Sequence, residues 1–209
     1  MTHKLKQVLE EITYGKAPGP SPTFTIFHLI RAMELIARKP VGRSKLAEKL
    51  KVGEGAIRTV IERLRTAELI ATSKAGCTLT DKGIKLWKEY KSIFKEKIEI
   101  GKNELTLAEY NFAILVKNLG HKVTSGMEQR DAAVIAGAKG ATTVVMKKGR
   151  LLIPSVCKDL SKDFPKAAKQ ILNLLKPEEN DAIIVASADE PSKAEYGALA
   201  AAWTLVNDC

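Results

Sequence analysis

Two stretches of helical periodicity, separated by a short glycine-containing turn and followed at once by a strand, a turn and a returning strand, leave residues 41 to 87 few ways to fold. Arg43 to Leu50 places Leu46, Ala47 and Leu50 on one helical face, and Lys51-Val52-Gly53-Glu54-Gly55 then breaks the pattern. From about Gly55 to Ala67, Ile57, Val60, Ile61 and Leu64 recur at i, i+3, i+4 and i+7, so one stripe is committed to a core. The opposite side carries Arg58, Thr59, Glu62 and Arg65. Leu69 to Ser73 reads as a strand, Lys74-Ala75-Gly76 as a tight turn and Cys77 to Leu79 as the returning strand. Thr80-Asp81-Lys82-Gly83 opens a further helix, and Phe24 to Lys39 supplies an apolar helix upstream.

Charge divides the chain in the same place. Residues 1–95 hold 19 Lys and Arg against 9 Asp and Glu, whereas residues 96–209 hold 15 against 15, so the whole net charge of +10 belongs to the first half. A basic module beside an electroneutral one is expected when one half faces a polyphosphate backbone and the other has a different task. An evenly solvated basic surface is the plainer explanation of the charge by itself; its coincidence with the helix, turn, helix and hairpin order favours nucleic acid.

The run from Val41 to Trp87 resembles the winged-helix domains of prokaryotic transcription regulators. Cys77-Thr78-Leu79-Thr80-Asp81-Lys82-Gly83 is similar to the segment that follows the wing in many of them: an aromatic or small residue, any residue, Leu-Thr, two residues and Gly. The chain as a whole resembles a family of archaeal proteins that join such a domain to a C-terminal domain of uncharacterised function. The resemblance implies double-stranded DNA as the partner, with the second helix of the motif entering the major groove. On that expectation Arg58 and Thr59 are the candidates for reading base edges, with Glu54 and Glu62 orienting Arg58. Arg58 and Glu62 could instead form an i, i+4 surface pair. Arg43, Ser44 and Lys45 at the preceding helix start, Arg65, and Lys74 in the hairpin are the candidates for phosphate contacts.

Length suits two domains, 1–95 and 96–209, each large enough to bury a core. No segment offers the roughly 18 uninterrupted apolar residues of a membrane helix, and no signal-peptide run opens the chain, so a cytoplasmic protein is expected. Cys77, Cys157 and Cys209 lack paired spacing and read as free thiols. His3, His28 and His121 are too scattered to predict a metal site, and no cofactor is expected. Leu5, Val8, Leu9 and Ile12 form an amphipathic N-terminal arm, ended by the Gly15 to Pro22 stretch, that packs either on its own domain or on a second subunit. The helix from Asp81 to Lys95 has the same two options.

In the second half, Lys97 to Ile100 alternates as a strand. Thr106-Leu107-Ala108-Glu109 has capping-box residues and predicts a helix to about Asn118, with Gly120 as its C-terminal cap. A small-residue helix over Asp131 to Lys139 is followed by a hairpin from Thr142–Met146 to Arg150–Pro154. A helix from Phe164 to Leu175, a buried strand from Asp181 to Ala186 and a last helix from Ser192 to Val206 complete the order. The expectation is an α+β two-domain protein: a winged helix-turn-helix, then an α/β domain with a small mixed sheet.

Two places in that domain are candidates for a small-molecule effector. Ser187 to Ser192, with Ser187 and Asp189, lies where an apolar strand feeds a helix start, although helix capping explains its acidic residues equally well. Thr124 and Ser125, followed by Arg130 and Asp131, could clamp a polar group or simply hold an internal ion pair. Gly197 and the alanines around it make the last helix thin, as close packing would require. Cys157 beside Lys158 is the nearest approach to a nucleophile, and a buried idle thiol is the simpler reading. No paired carboxylates or Ser-His-Asp pattern is visible, so no enzyme is expected. The reading from sequence is a homodimeric regulator whose second domain senses an effector or dimerises. A non-specific chromosome-associated or RNA-associated protein, or an enzyme with an accessory winged helix, are the alternatives.

Overall fold

The computed structural model describes residues 2–14, 23–95 and 97–206, with side chains from residue 5 onward; the Gly15 to Pro22 stretch and Cys209 lie outside the described residues. The chain divides into two compact units, Met1–Tyr90 and Lys91–Cys209.

The first unit runs α1 (Thr2–Tyr14), α2 (Ile26–Arg38), α3 (Arg43–Leu50), α4 (Glu54–Thr66), β1 (Ile70–Ser73), β2 (Gly76–Leu79) and the start of α5 (Asp81–Ile93). Three of the four residues in the stripe expected for α4, Ile57, Val60 and Leu64, are fully enclosed, while Ile61 at its edge is half-buried. Leu46 and Leu50 of α3 and Leu29, Ile30 and Met33 of α2 join them in the core. β1 and β2 pair antiparallel from Ile70↔Leu79 to Ser73↔Gly76 around a turn at Lys74 and Ala75. Val41 pairs with Cys77 on the other edge of β2, so the hairpin is anchored to the segment that leads into α3. The α1 arm packs within its own unit, with Leu5 and Leu9 buried beside Ile30 and Met33.

The start of α2 carries a pH-dependent cap. The Thr25 backbone N–H donates to Nδ1 of His28 at 3.0 Å, and the Thr25 hydroxyl lies 2.9 Å from the same nitrogen. Burial pushes the His28 imidazole below its ordinary value of 6.5, and the capping role also requires an unprotonated Nδ1. The neutral ring is thus the one the fold prefers. Its contribution is complete above pH 6.5 and is lost as pH falls through the lower folded-state value. Urea midpoints should therefore drop as pH is lowered below 6.5, and His28→Gln should flatten that slope; an unchanged slope in the variant would refute the cap as its source.

The second unit contains β3 (Ile98–Glu99), β4 (Tyr110–Val116), α6 (Met127–Ile135), β5 (Gly140–Lys147), β6 (Arg150–Leu152), α7 (Leu160–Asp163), α8 (Pro165–Leu175), β7 (Ala182–Ala188) and α9 (Pro191–Thr204). Strand order is β3-β4-β7-β5-β6, and every pairing is antiparallel. This corrects two expectations. The helix predicted from Thr106 to Asn118 is instead β4, and the sheet is antiparallel rather than mixed. Tyr110-Asn-Phe-Ala-Ile-Leu-Val is rich in strand-forming types, and its last four residues are buried on both sides of a sheet. Thr106 does accept a local hydrogen bond, but from the Asn103 amide, closing a turn rather than starting a helix. Gly120 accordingly caps no helix; its N–H donates to the Asn180 carbonyl and begins a single 3-10 turn.

β7 lies at the centre, all seven residues buried. One sheet face packs Ala113, Leu115, Val144, Met146, Ile183 and Val185 against Ala167, Ala168, Ile171 and Leu175 of α8. The other face is covered by α6 and α9. A side chain at Gly197 would place its Cβ 2.5 Å from that of Ala138, which is why the last helix is thin. Among the described residues no helix is long and apolar enough to cross a membrane, and no group of His, Cys, Asp and Glu could hold a metal ion.

Candidate nucleic-acid interface

Three elements of the first unit converge on one groove of about 410 Å³. The start of α3 supplies Arg43 and Ser44, α4 supplies Arg58 and Ile61, and the β1–β2 hairpin supplies Thr72 to Cys77, with Lys74 at its tip. α3 begins here because Gly42 takes an extended N-cap conformation and releases the chain from the Val41 to Cys77 pairing. α4 begins at Glu54, whose carboxylate complements the positive helix end and approaches Arg43 to 3.9 Å. Both partners are about half exposed or more, so this pair contributes little. Among the described residues nothing hydrogen-bonds or ion-pairs with the exposed Arg58 guanidinium. Neither the Glu54 nor the Glu62 contact considered for it is formed.

The remaining candidates are distributed more widely. Lys45 and Arg65 are exposed on α3 and α4 but do not line this groove. Thr59 and Glu62 look onto a second groove of about 640 Å³, shared with Glu11, Ile12, Arg63, Thr66 and Ala67. The Thr59 hydroxyl donates back to the Gly55 carbonyl at 3.2 Å. Arg58 and Thr59 are neighbours in sequence yet face different grooves, as the roughly 100° step of a helix dictates.

Sequence reasoning passed over Arg63. Its guanidinium donates to the Ile12 carbonyl at 3.3 Å and to the Thr13 carbonyl, and it stacks 5.4 Å from the Phe24 ring centroid. It thereby fastens the C-terminal end of α1 to α4. The contact joins residues 50 positions apart, and no local spacing could have signalled it.

The Leu79-Thr80-x-x-Gly83 run has a structural role here. Thr80 accepts the Gly83 N–H at 3.1 Å and donates to the Glu68 carbonyl at 2.6 Å, capping α5 and tying it to the end of α4. Gly83 lies against the Leu69 carbonyl, so the start of α5 sits directly on the residue that leads into β1.

In the second unit, Ser187 is buried in β7: its hydroxyl donates to Asn111 Oδ1 at 2.6 Å and accepts the Leu107 N–H at 3.0 Å. Asp189 pairs with Lys139 at 2.8 Å. Arg130 and Asp131 bond to each other at 2.9 Å, and Ser125 accepts the Met127 N–H, while Thr124 is exposed. Cys157 is buried in the core facing α8, and Cys77, also buried, has its thiol pushed up by desolvation. Ser187→Ala would leave a buried amide oxygen and the Leu107 N–H unpaired, costing about 1–3 kcal/mol. An unchanged urea midpoint would show that the network contributes nothing.

Residues 23–94 match the family model described as the CggR N-terminal DNA-binding domain, and residues 107–205 match a domain of unknown function, DUF4443. Hypothetical protein PH0730 from Pyrococcus horikoshii OT3 is 30% identical, with a TM-score of 0.69 over 87% of this chain and 92% of that one. Wild-type ZitR from Lactococcus lactis is 23% identical, with a TM-score of 0.30 over 43% of this chain and 71% of its own. No curated protein matches the chain. The chain belongs to the same family as the Pyrococcus horikoshii protein, and in it a winged-helix DNA-binding domain precedes the domain of unknown function.

Proposed function

We propose that this protein is a non-enzymatic transcriptional regulator that binds duplex DNA through residues 1–95 and uses residues 96–209 to sense an effector, to dimerise, or both. One observation carries the reading: Arg43, Ser44, Arg58 and Lys74, drawn from three separate elements, surround a single groove in the half of the chain that holds all the net positive charge. α4 would lie in the major groove with Arg58 against base edges, while Arg43, Ser44 and the hairpin Lys74 grip the flanking phosphates. Lys45 and Arg65 would add phosphate contacts, and Thr59 and Glu62, on the adjacent face, would touch the duplex at the far edge of the helix. In a symmetric dimer two α4 helices would address half-sites one helical turn apart.

Selection of bound genomic duplexes by the purified protein at physiological salt tests this. Enrichment of a two-fold related motif is the expected result. Uniform recovery of all sequences would replace the regulator with a non-specific chromosome-associated protein, and failure to retain duplex at all would end the reading.

A further inference from the structure

We propose that the second unit binds a small phosphorylated ligand in the groove between the 101–104 loop and the outer face of α8. This rests on reading that unit as the sensing half of the protein, and it names the chemistry sensed.

Lys166, Lys169, Gln170, Asn173 and Leu174 fall at i, i+3, i+4, i+7 and i+8 of Pro165–Leu175, forming one stripe about 12 Å long. The inward residues of the same helix, Ala167, Ala168, Ile171 and Leu175, are held in the core, so the stripe cannot rotate away. Lys102 faces it across a groove of about 350 Å³, within the size range of small-molecule sites.

Two internal fastenings preform the groove. The Glu104 carboxylate accepts the N–H groups of Lys166 at 3.1 Å and Ala167 at 2.9 Å, closing the N-terminal end of α8. Asn103 Nδ2 donates to Gln170 Oε1 at 2.7 Å, which leaves the Gln170 amide group as a donor.

Charge chooses the ligand. Among the described residues Lys102, Lys166 and Lys169 have no ion-pair or hydrogen-bond partner for their ammonium groups. Among the described residues several acids of this electroneutral half are held elsewhere: Glu195 with Lys97, Asp189 with Lys139, Glu190 with Lys193, and Glu179 with the amides of Lys148 and Gly149. Glu104 has both oxygens on α8 amides. Among the described residues no carboxylate lines the groove, and its three ammonium groups outweigh the single negative charge of Glu104 near Lys166, so the groove favours anions. A dianionic group with several acceptor oxygens matches that set. Leu174, 55% exposed at the end of the stripe, and the lysine stems favour an apolar or aromatic portion beside the phosphate. A nucleoside monophosphate has both parts.

The test is an NMR titration of the ¹⁵N-labelled full chain with AMP, pyrophosphate and adenosine, alongside the variant Lys102→Gln/Lys166→Gln/Lys169→Gln and a separate duplex titration. AMP or pyrophosphate is expected to shift amides of residues 101–104 and 166–174. Adenosine should bind much more weakly, and the triple variant should weaken the phosphorylated probe about tenfold or more while retaining duplex. If the triple variant fails to fold, Lys169→Gln, fully on the solvent side, must still show partial loss. No shift with either phosphorylated probe, or equal binding by the variants, overturns the proposal. So does loss of duplex with undiminished AMP binding, which would make the groove a DNA backbone contact. Because ligand and duplex are measured separately, absence of DNA binding would sink the regulator and leave the ligand result standing.

Discussion

Gly83→Ala is expected to lower the stability of the first unit by about 3 kcal/mol, because overpacking against immovable atoms is among the larger effects of one methyl group. The added Cβ would stand 2.0 Å from the Leu69 carbonyl oxygen and 3.0 Å from its carbon. Both belong to backbone, so no side-chain rotation relieves the overlap. That oxygen also accepts the Thr80 N–H at 3.0 Å, and moving it away disturbs the cap that starts α5. At roughly 4–8 °C per kcal/mol for a unit of this size, the melting transition should fall by more than about 12 °C. Gly55→Ala is the matched control. It lies within α4 with nothing inside 4 Å of the new Cβ, so it should stabilise by about 0.5–1 kcal/mol. Calorimetry on the two variants decides the matter: similar small effects would mean that the glycine of the post-wing motif is not set by this contact.

Arg58→Ala is expected to reduce affinity for the selected duplex by about 1–3 kcal/mol and to relax the preference at one base pair, since a bidentate guanine contact discriminates by that amount. Lys74→Ala should act differently. Without its ammonium group the hairpin no longer neutralises a phosphate, so all duplexes are weakened alike and the slope of log affinity against log salt falls by about one. Arg58 has no competing partner in its own unit among the described residues, so its removal should leave the melting temperature nearly unchanged. Binding isotherms for both variants over a salt series separate the roles. If Arg58→Ala behaved as Lys74→Ala does, α4 would be holding the backbone and reading no bases.

The ease of reading differed between the two halves for a definite reason. In the first, each helix shows a stripe of apolar residues against a polar face, so Ile57, Val60 and Leu64 announced their burial one turn apart. In the second, the later residues of β4 are covered on both faces and lose the alternation that distinguishes a strand, whereas β7 was legible as an uninterrupted apolar run. Thr106 and Glu109 then offered a plausible helix start, and only the residues after them, Tyr110 to Val116, argued for a strand. The groove on α8 was concealed in another way. Its stripe is visible in sequence, but that Lys102 faces it and that, among the described residues, no carboxylate lines it depends on folding.

From the order of residues alone came the helix, turn, helix and hairpin of the first unit and the concentration of positive charge there, because periods of about 3.6 and 2 and the sum of charges are local properties. Tertiary structure decided which strands pair, that Ser187 meets Asn111 across 76 positions, that Arg63 holds the end of α1, and which lysines among the described residues stay unpaired. Each of these rests on the meeting of distant segments, which depends on how whole layers bury their apolar faces against one another.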